Sequence, residues 1–509
     1  MKNSRLIKWV GAAVLAIPLA LGIAHADARN NVLAIGVPVE PVTLDPANGF
    51  TGFDYPFLYS LYDRLIDFEP KTLKLRPGLA TAWRFIGNDQ RAFEISLRPN
   101  VKFHDNTPLD AEAVKASLLR FKEIGLIRDL DPVVSIDVID PLKLVLRLSS
   151  SYSVLPAILA DRAGMIVSPT AVKASGKGYQ RSPVGAGPFK LGQWTPGSML
   201  ELTAFPGYWD KEKIKLSGIQ YKIIGNPTSL VSALLSGQID HASNVDPKNV
   251  SVLKASDRVR VQSEPTLWVY IFLVNTGMPP LNDPKVRRAV SLSIDRKAIS
   301  DAILGKDIGE GPATLLVPPS NWAHTSAIGQ RSPYDPVQAK KLLAEAGYPD
   351  GISLKVCGTP VLGYGPEIVA IEQEQMKAAG IRIEATMLAG SACQQAWQSR
   401  NEYHLRQGGW SGRPDPWMTY QQIFASNGEY NRTKQKFPGV DEMLNDLLSA
   451  YSQEDQKKLY DKLNAVWVEQ FPWIPLFYGS NVAVYAQNVA GEQPNLQGKL
   501  NPVTMYFKK

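Results

Sequence analysis

Arg413 is the single cation in the stretch Gly408 to Trp417, "GGWSGRPDPW", and Asp415 is its single anion. A guanidinium is a planar fork of donors that pairs bidentately with a carboxylate. Trp410 adds a flat apolar face, and Ser411 and Gly412 bring polar and backbone groups close to whatever that face holds. Two readings of the loop stand open. Arg413 receives a carboxylate-bearing ligand, with Asp415 as partner for an ammonium, or Arg413 pairs with Asp415 and only shapes the loop. Trp410 likewise either packs on a ligand or closes a core.

The other residue types with reactive potential assemble into nothing. His104, His241, His324 and His404 are spread along the chain without metal-ligand spacing. No Gly-x-Ser-x-Gly segment marks a nucleophile elbow, and the Gly-rich "GPATLL" and "GAGPFK" lack the Lys-Ser/Thr ending of a phosphate loop. No catalytic residue, metal site or cofactor is expected. A secreted hydrolase, the enzyme class to consider, lacks a nameable nucleophile and base.

Strands, helices and turns must hold the loop in place. "NVLAIGV" reads as a first strand, and "GFTGFDYPFLYSLYDRLIDFEP" joins Gly and aromatics to a helical patch. "RAFEISLRPNVKFHD" alternates as a half-buried strand does, and "VVSIDVIDPLKLVLRL" alternates across a Pro turn. Between them "TPLDAEAVKASLLRFKEI" is a helix capped by Thr107 or Asp110, with Val114, Leu118 and Phe121 on one face. "DPKVRRAVSLSIDRKAISDAIL" predicts one helix opened by Asp283-Pro284, and "YDPVQAKKLLAEAGYPDG" a helix from Asp335-Pro336 to Gly347. "ISLKVCG" and "EIVAIEQEQMKAAGIRIEATML" give strand, helix, strand, so the class is α/β with at least two lobes.

The first 26 residues set the expected compartment. Lys2, Arg5 and Lys8 precede an apolar run from Trp9 to Ile23, and Ala24-His25-Ala26 ends it, the pattern of a cleaved secretory signal peptide. No cysteine stands directly after the expected cleavage site, where Asp27 lies, so a periplasmic protein without a lipid anchor is predicted. What remains exceeds the roughly 250 to 300 residues at which single cores stop growing, which requires more than one domain. The formal charge of +7 is scattered without a basic run, which argues against nucleic acid as a partner. Cys357 and Cys393 are the only cysteines. In an oxidising compartment they either form a disulfide, stabilising by about 3 to 4 kcal/mol, or remain two buried thiols.

Several segments in order resemble the extracellular solute-binding proteins of family 5, which serve ABC importers for oligopeptides, dipeptides and nickel. "LATAWRFIGNDQRAFEISLRPNVKFHDNTPLDAEAVKASLLRF" is similar to the family's signature region, and "GAGPFKL", "GYWD", "LLSGQID", "DPKVRRAVSLSIDR" and "AKKLLAEAGY" match further segments. The resemblance implies a two-lobed periplasmic binding protein of the large three-domain type (class II), with mixed sheets and a ligand cleft between the lobes. Domain I would comprise residues 27–52, 181–267 and 484–509, domain II residues 53–180, and domain III residues 268–483. Crossovers near 265–270 and 480–486 would form a hinge.

The implied partners are a small-molecule or peptide ligand and the membrane subunits of an ABC permease, with the protein itself a monomer. The implied alternative is a periplasmic peptide chaperone or a sensor that presents ligand through the same cleft. Trp410, Ser411, Gly412, Arg413 and Asp415 fall in the cleft-lining loop of domain III. In peptide-binding relatives an Asp pairs with the peptide ammonium where this chain has Arg413. The Arg that receives the carboxylate in dipeptide binders falls here near Gly363 and Tyr364. A carboxylate-bearing, anionic or zwitterionic ligand is therefore the expectation. Phe53, Asp54 and Tyr55 match the stretch that meets ligand from the first lobe, and Tyr270 is a further candidate with a core role as its alternative.

Overall fold

The computed structural model describes residues 31–509, apart from positions 50, 307, 360–364, 432, 494 and 509 and the side chains of 390 and 391. The predicted signal peptide and Tyr364 lie outside the described residues.

Ten strands form one mixed sheet. From one edge the order is Ile381–Met387, Ile352–Gly358, Leu405–Ser411, Val259–Val274, Trp473–Ala486, His241–Ala242, Val32–Val37, Gly218–Ile223, Met199–Ala204 and Phe189–Thr195. The pair 352–358 and 381–387 is parallel, and helix Gly365–Lys377 connects the two strands, as a parallel crossover requires. Two long strands, Val259–Val274 and Trp473–Ala486, run antiparallel through the centre. Their ladder shifts register between Pro265 and Val269, where proline cannot donate a ladder hydrogen bond.

A separate antiparallel sheet of four strands, in the order Ala80–Ile86, Ala92–Leu97, Lys143–Leu148, Val133–Asp140, occupies the early part of the chain. Helix Ala111–Ile124 lies against it. Asp110 is its cap, accepting from Ala113 N at 2.9 Å, and Val114, Leu118 and Phe121 are buried at i, i+4 and i+7. Burial of each of these side chains stabilises the domain by about 1.5 to 3 kcal/mol.

The segment 284–304 departs from the single helix expected of it. It forms two, Pro284–Leu292 and Arg296–Leu304, because the Asp295 side chain accepts from Ala298 N and caps a new helix. The Arg296 guanidinium is buried in the gap, donating to the carbonyls of Pro475 and Ser291. Apolar periodicity runs through both helices and hides the break. Cys357 and Cys393 are joined, linking strand Ile352–Gly358 to helix Gly390–Gln398.

Candidate functional site

The glycines of the opening loop exist to bring it close to the central strand. A Cβ on Gly409 would lie 2.1 Å from the Trp268 indole, and one on Gly412 would lie 2.4 Å from Leu267 Cβ. Strand Leu405–Ser411 pairs with Trp268–Val274 over this stretch, and Gly412 N donates to Leu267 O. Beyond it the chain turns through Pro414 and Pro416 into helix Trp417–Phe424. Arg413 is thereby held on a short, rigid link between a sheet and a helix.

Arg413 reaches a cavity of about 920 Å³. One wall is formed by Arg128, Asp129, Asp131 and Tyr152 beside the four-stranded sheet. The facing wall is formed by residues between Arg413 and Leu448, among them Trp417 and Tyr430. The walls touch at the margin: Tyr152 meets Trp417 edge-on at 5.9 Å, and Ser153 Oγ donates to Leu447 O at 2.8 Å. Tyr152 also donates its hydroxyl to Asp129 O, fixing that acidic loop.

Behind the cavity lies a buried cluster of charges. Arg413 Nη1 donates to Asp161 Oδ2 at 3.2 Å, and Asp161 Oδ1 accepts from the Tyr55 hydroxyl at 2.5 Å. Neighbouring Arg162 pairs with Asp54 at 3.2 Å, both fully buried, and also donates to Thr51 O. The Lys499 ammonium sits 3.6 Å over the Tyr55 ring, and the Arg162 guanidinium lies 4.3 Å from the same ring. Burial alone would raise the Asp161 carboxyl, but Lys499, Arg413, the Tyr55 hydroxyl and Arg162 together hold it down at about 2. Burial lowers Arg413, and Tyr55, Asp161 and Asp129 outweigh it and raise the guanidinium above its ordinary value. Burial lifts Asp129 to about 6 although Arg413 pulls the other way.

Of the described residues expected to bind ligand, Arg413 alone is placed among those lining the cavity. Asp415 is not its partner. That carboxylate accepts from Trp417 N at 2.8 Å and from the Tyr460 hydroxyl at 3.0 Å, so it caps the following helix and ties it to helix Gln453–Gln470. The reading in which Asp415 neutralises Arg413 is thus corrected, since Asp161 lies in that place. Trp410 donates Nε1 to Thr419 Oγ1 and packs edge-on against Tyr430 and Trp473. Tyr270 stacks on Phe477 at 4.3 Å. Phe53 is exposed, whereas Asp54 and Tyr55 are buried in the charge cluster. Ser411 lies opposite Trp268 in the sheet ladder.

The sequence reading missed Asp129, Asp161, Arg162 and Lys499. Asp161-Arg162 carried a signal, two adjacent charges within the apolar run "VLPAILADRAGMIV". Lys499, in a polar C-terminal tail, carried none.

The sequence model for "Bacterial extracellular solute-binding proteins, family 5 Middle" matches residues 74–432. The chain belongs to this family. It is accordingly a solute-binding protein and not an enzyme, from a family that takes small ligands or peptides and works with ABC permeases. Among curated relatives, the glutathione-binding protein GsiB of Salmonella paratyphi A is 29% identical over 503 residues, covering 95% of each chain. Among solved structures, the fold is similar to that of AgaA from A. tumefacien R10 in complex with agropinic acid, with a TM-score of 0.83 and 22% identity over 94% of this chain and 99% of that one. It is also similar to the dipeptide binding protein of Pseudoalteromonas sp. SM9913 in complex with Met-Leu, with a TM-score of 0.82 and 23% identity over 94% and 100%. No helix among the described residues of this solute-binding protein is long and apolar enough to cross a membrane, and no group of three or more potential metal ligands occurs among them.

Proposed function

We propose that this protein captures a carboxylate-bearing, peptide-like zwitterion in the periplasm and delivers it to an ABC permease. The observation that carries the reading is that a guanidinium, Arg413, and a carboxylate, Asp129, both line the cavity within electrostatic reach of each other. A guanidinium receives a carboxylate, and an anionic Asp129 receives an ammonium. Asp129 makes no ion pair or side-chain hydrogen bond among the described residues. The polarity is that expected when Arg413 stands where peptide-binding relatives keep an acidic residue. The relatives that bind glutathione, agropinic acid and Met-Leu support a ligand of this size and charge.

The lobes in this reading meet at the register break near Pro265 to Val269, which serves as the hinge. Domain I comprises residues 27–52, 181–267 and 484–509, domain II residues 53–180, and domain III residues 268–483. The protein acts as a monomer after removal of residues 1–26 and carries no lipid anchor. Ligand binding shifts an open population toward the closed arrangement in which Arg413 meets Asp161.

The test is a thermal-shift screen with glutathione, Met-Leu, agropinic acid and their esterified or amidated counterparts, run on the wild type and on Arg413→Ala. A native-state ligand raises the melting temperature by mass action. Stabilisation by free carboxylates that is weakened in the variant supports the reading. Equal stabilisation by blocked forms would reduce Arg413 to loop architecture.

A further inference from the structure

The charged groups behind the cavity are joined in direct ion pairs, with one exception. Arg162 is matched by Asp54, Arg413 by Asp161, and Arg64 by Asp67. Lys499, only 7% exposed, has no ion pair and no hydrogen bond from its ammonium among the described residues. It rests on the face of Tyr55, within electrostatic reach of Asp161 but without a direct ion pair to it.

The same place holds other donors with nothing to donate to. Arg162 Nη1 is buried without an acceptor among the described residues, although Arg162 rests on the same Tyr55 ring. Gln497, two residues before Lys499, uses its Oε1 to accept from the Tyr59 hydroxyl at 2.9 Å and leaves its buried Nε2 unused. Tyr59 in turn packs against Tyr55 at 5.3 Å. Buried donors left unsatisfied are costly, and a cluster of them around an ammonium with no hydrogen-bond acceptor among the described residues is an arrangement lacking an acceptor. A carboxylate offers about four lone-pair sites on two oxygens and no donor.

We propose that Lys499 is a specificity-determining anchor for an acidic ligand group, which enters beside Tyr55 and pairs with the Lys499 ammonium together with the free donors of Arg162 and Gln497. The proposal rests on the carboxylate reading of the ligand given above and adds a second anionic subsite behind Arg413. Arg413 belongs both to the cavity wall and to the charge cluster, so it connects the two. A ligand with two acidic groups, such as a dicarboxylate or a peptide with an acidic side chain, fits this arrangement better than a simple dipeptide.

The arrangement makes capture depend on pH. Burial pushes the Lys499 amine down to about 7, with Asp161 opposing and Arg413, Arg162 and Arg64 reinforcing it. Of the other groups facing it, Asp161 lies at about 2, while Tyr55, Arg413 and Arg64 are raised above their ordinary values. Asp129, at about 6, titrates at the lower edge of the range, in wild type and variants alike. An acidic ligand binds the ammonium form, so above about pH 7 its affinity falls by up to about tenfold per pH unit.

The experiment has a liganded arm and a ligand-free arm. In the first, glutathione, Met-Leu and agropinic acid are titrated calorimetrically between about pH 6 and about pH 9 against the wild type, Lys499→Met and Lys499→Arg. Titrations belonging to the probe are common to all three proteins. The expected result is a loss of about tenfold or more in Lys499→Met near pH 6, with affinity and a flatter pH profile restored in Lys499→Arg. A probe that binds wild type and Lys499→Met equally, with the same pH dependence, would overturn the proposal.

In the ligand-free arm, the melting temperatures of wild type and Lys499→Met are compared across the same range. An amine kept for an absent anion penalises the empty protein while it is protonated. Lys499→Met should therefore melt a few degrees higher near pH 6, with the gain shrinking toward pH 9. A lower melting temperature at every pH would make Lys499 a structural residue and sink the proposal even if no probe binds. Absence of binding by every probe to the wild type would instead count against the carboxylate reading of the ligand, leaving the ligand-free arm to decide Lys499.

Discussion

The two sides of the Arg413–Asp161 pair are built in opposite ways. The side that carries Arg413 comes from one continuous stretch, held by close backbone packing against Leu267 and Trp268. The side that carries the charge cluster gathers Asp54 and Tyr55, Asp161 and Arg162, and Lys499 from three distant places in the chain. The first side is stiff because there is no room to move. The second is stiff because buried charges tolerate few arrangements. Under the proposed function this division has a use: packing fixes the loop that carries Arg413, and buried charges hold the groups it meets.

The largest expected effect attacks the charge side. Arg162→Met removes one member of a fully buried pair and leaves Asp54 uncompensated, which should cost about 3 to 5 kcal/mol in urea unfolding. A loss below about 1 kcal/mol would show that Asp54 is satisfied by the amides of Val42 and Thr51 alone.

The packing side should respond to a single methyl group. Gly409→Ala places a Cβ against the Trp268 indole and should cost about 1 to 3 kcal/mol. Gly52→Ala, on the other side and with nothing within 4 Å of its new Cβ, should be neutral or stabilise by up to about 1 kcal/mol. If both glycines tolerate alanine equally, close packing is not what holds the Arg413 loop.

The smallest effect concerns the margin where the walls touch. Ser153→Ala deletes the bond to Leu447 O but keeps the Ser153 amide bonded to Leu448 O, so it should weaken closure by only about 0.5 to 1.5 kcal/mol. Small-angle scattering of the ligand-free protein should then report a modest gain in the more extended form. No change would place the latch wholly in the Arg413–Asp161 pair.

Much of the secondary structure was legible because its signals are local. Asp110, Asp283 and Asp335 each cap a helix through their own side chain, and the strands around Ala92–Leu97 and Lys143–Leu148 follow from alternation. The break at Asp295 was not legible, since apolar periodicity continues across it and the buried Arg296 looks like any surface arginine. In the cavity, Arg413 stood out as a lone cation among Gly, Trp and Pro. Asp415 misled, because a carboxylate two residues from a guanidinium suggests a pair, while the turn into helix Trp417–Phe424 claims it as a cap.

The sequence by itself determined the α/β class, the order of elements and the family to which the chain belongs, because periodicity, caps and motif order act over a few residues. Tertiary structure alone decided the partner of Arg413, the wall on which Asp129 faces it, and the burial of Lys499 against Tyr55. The physical reason is that charge pairing and desolvation depend on distances through space, and residues 55, 161, 413 and 499 become neighbours only when the chain has folded.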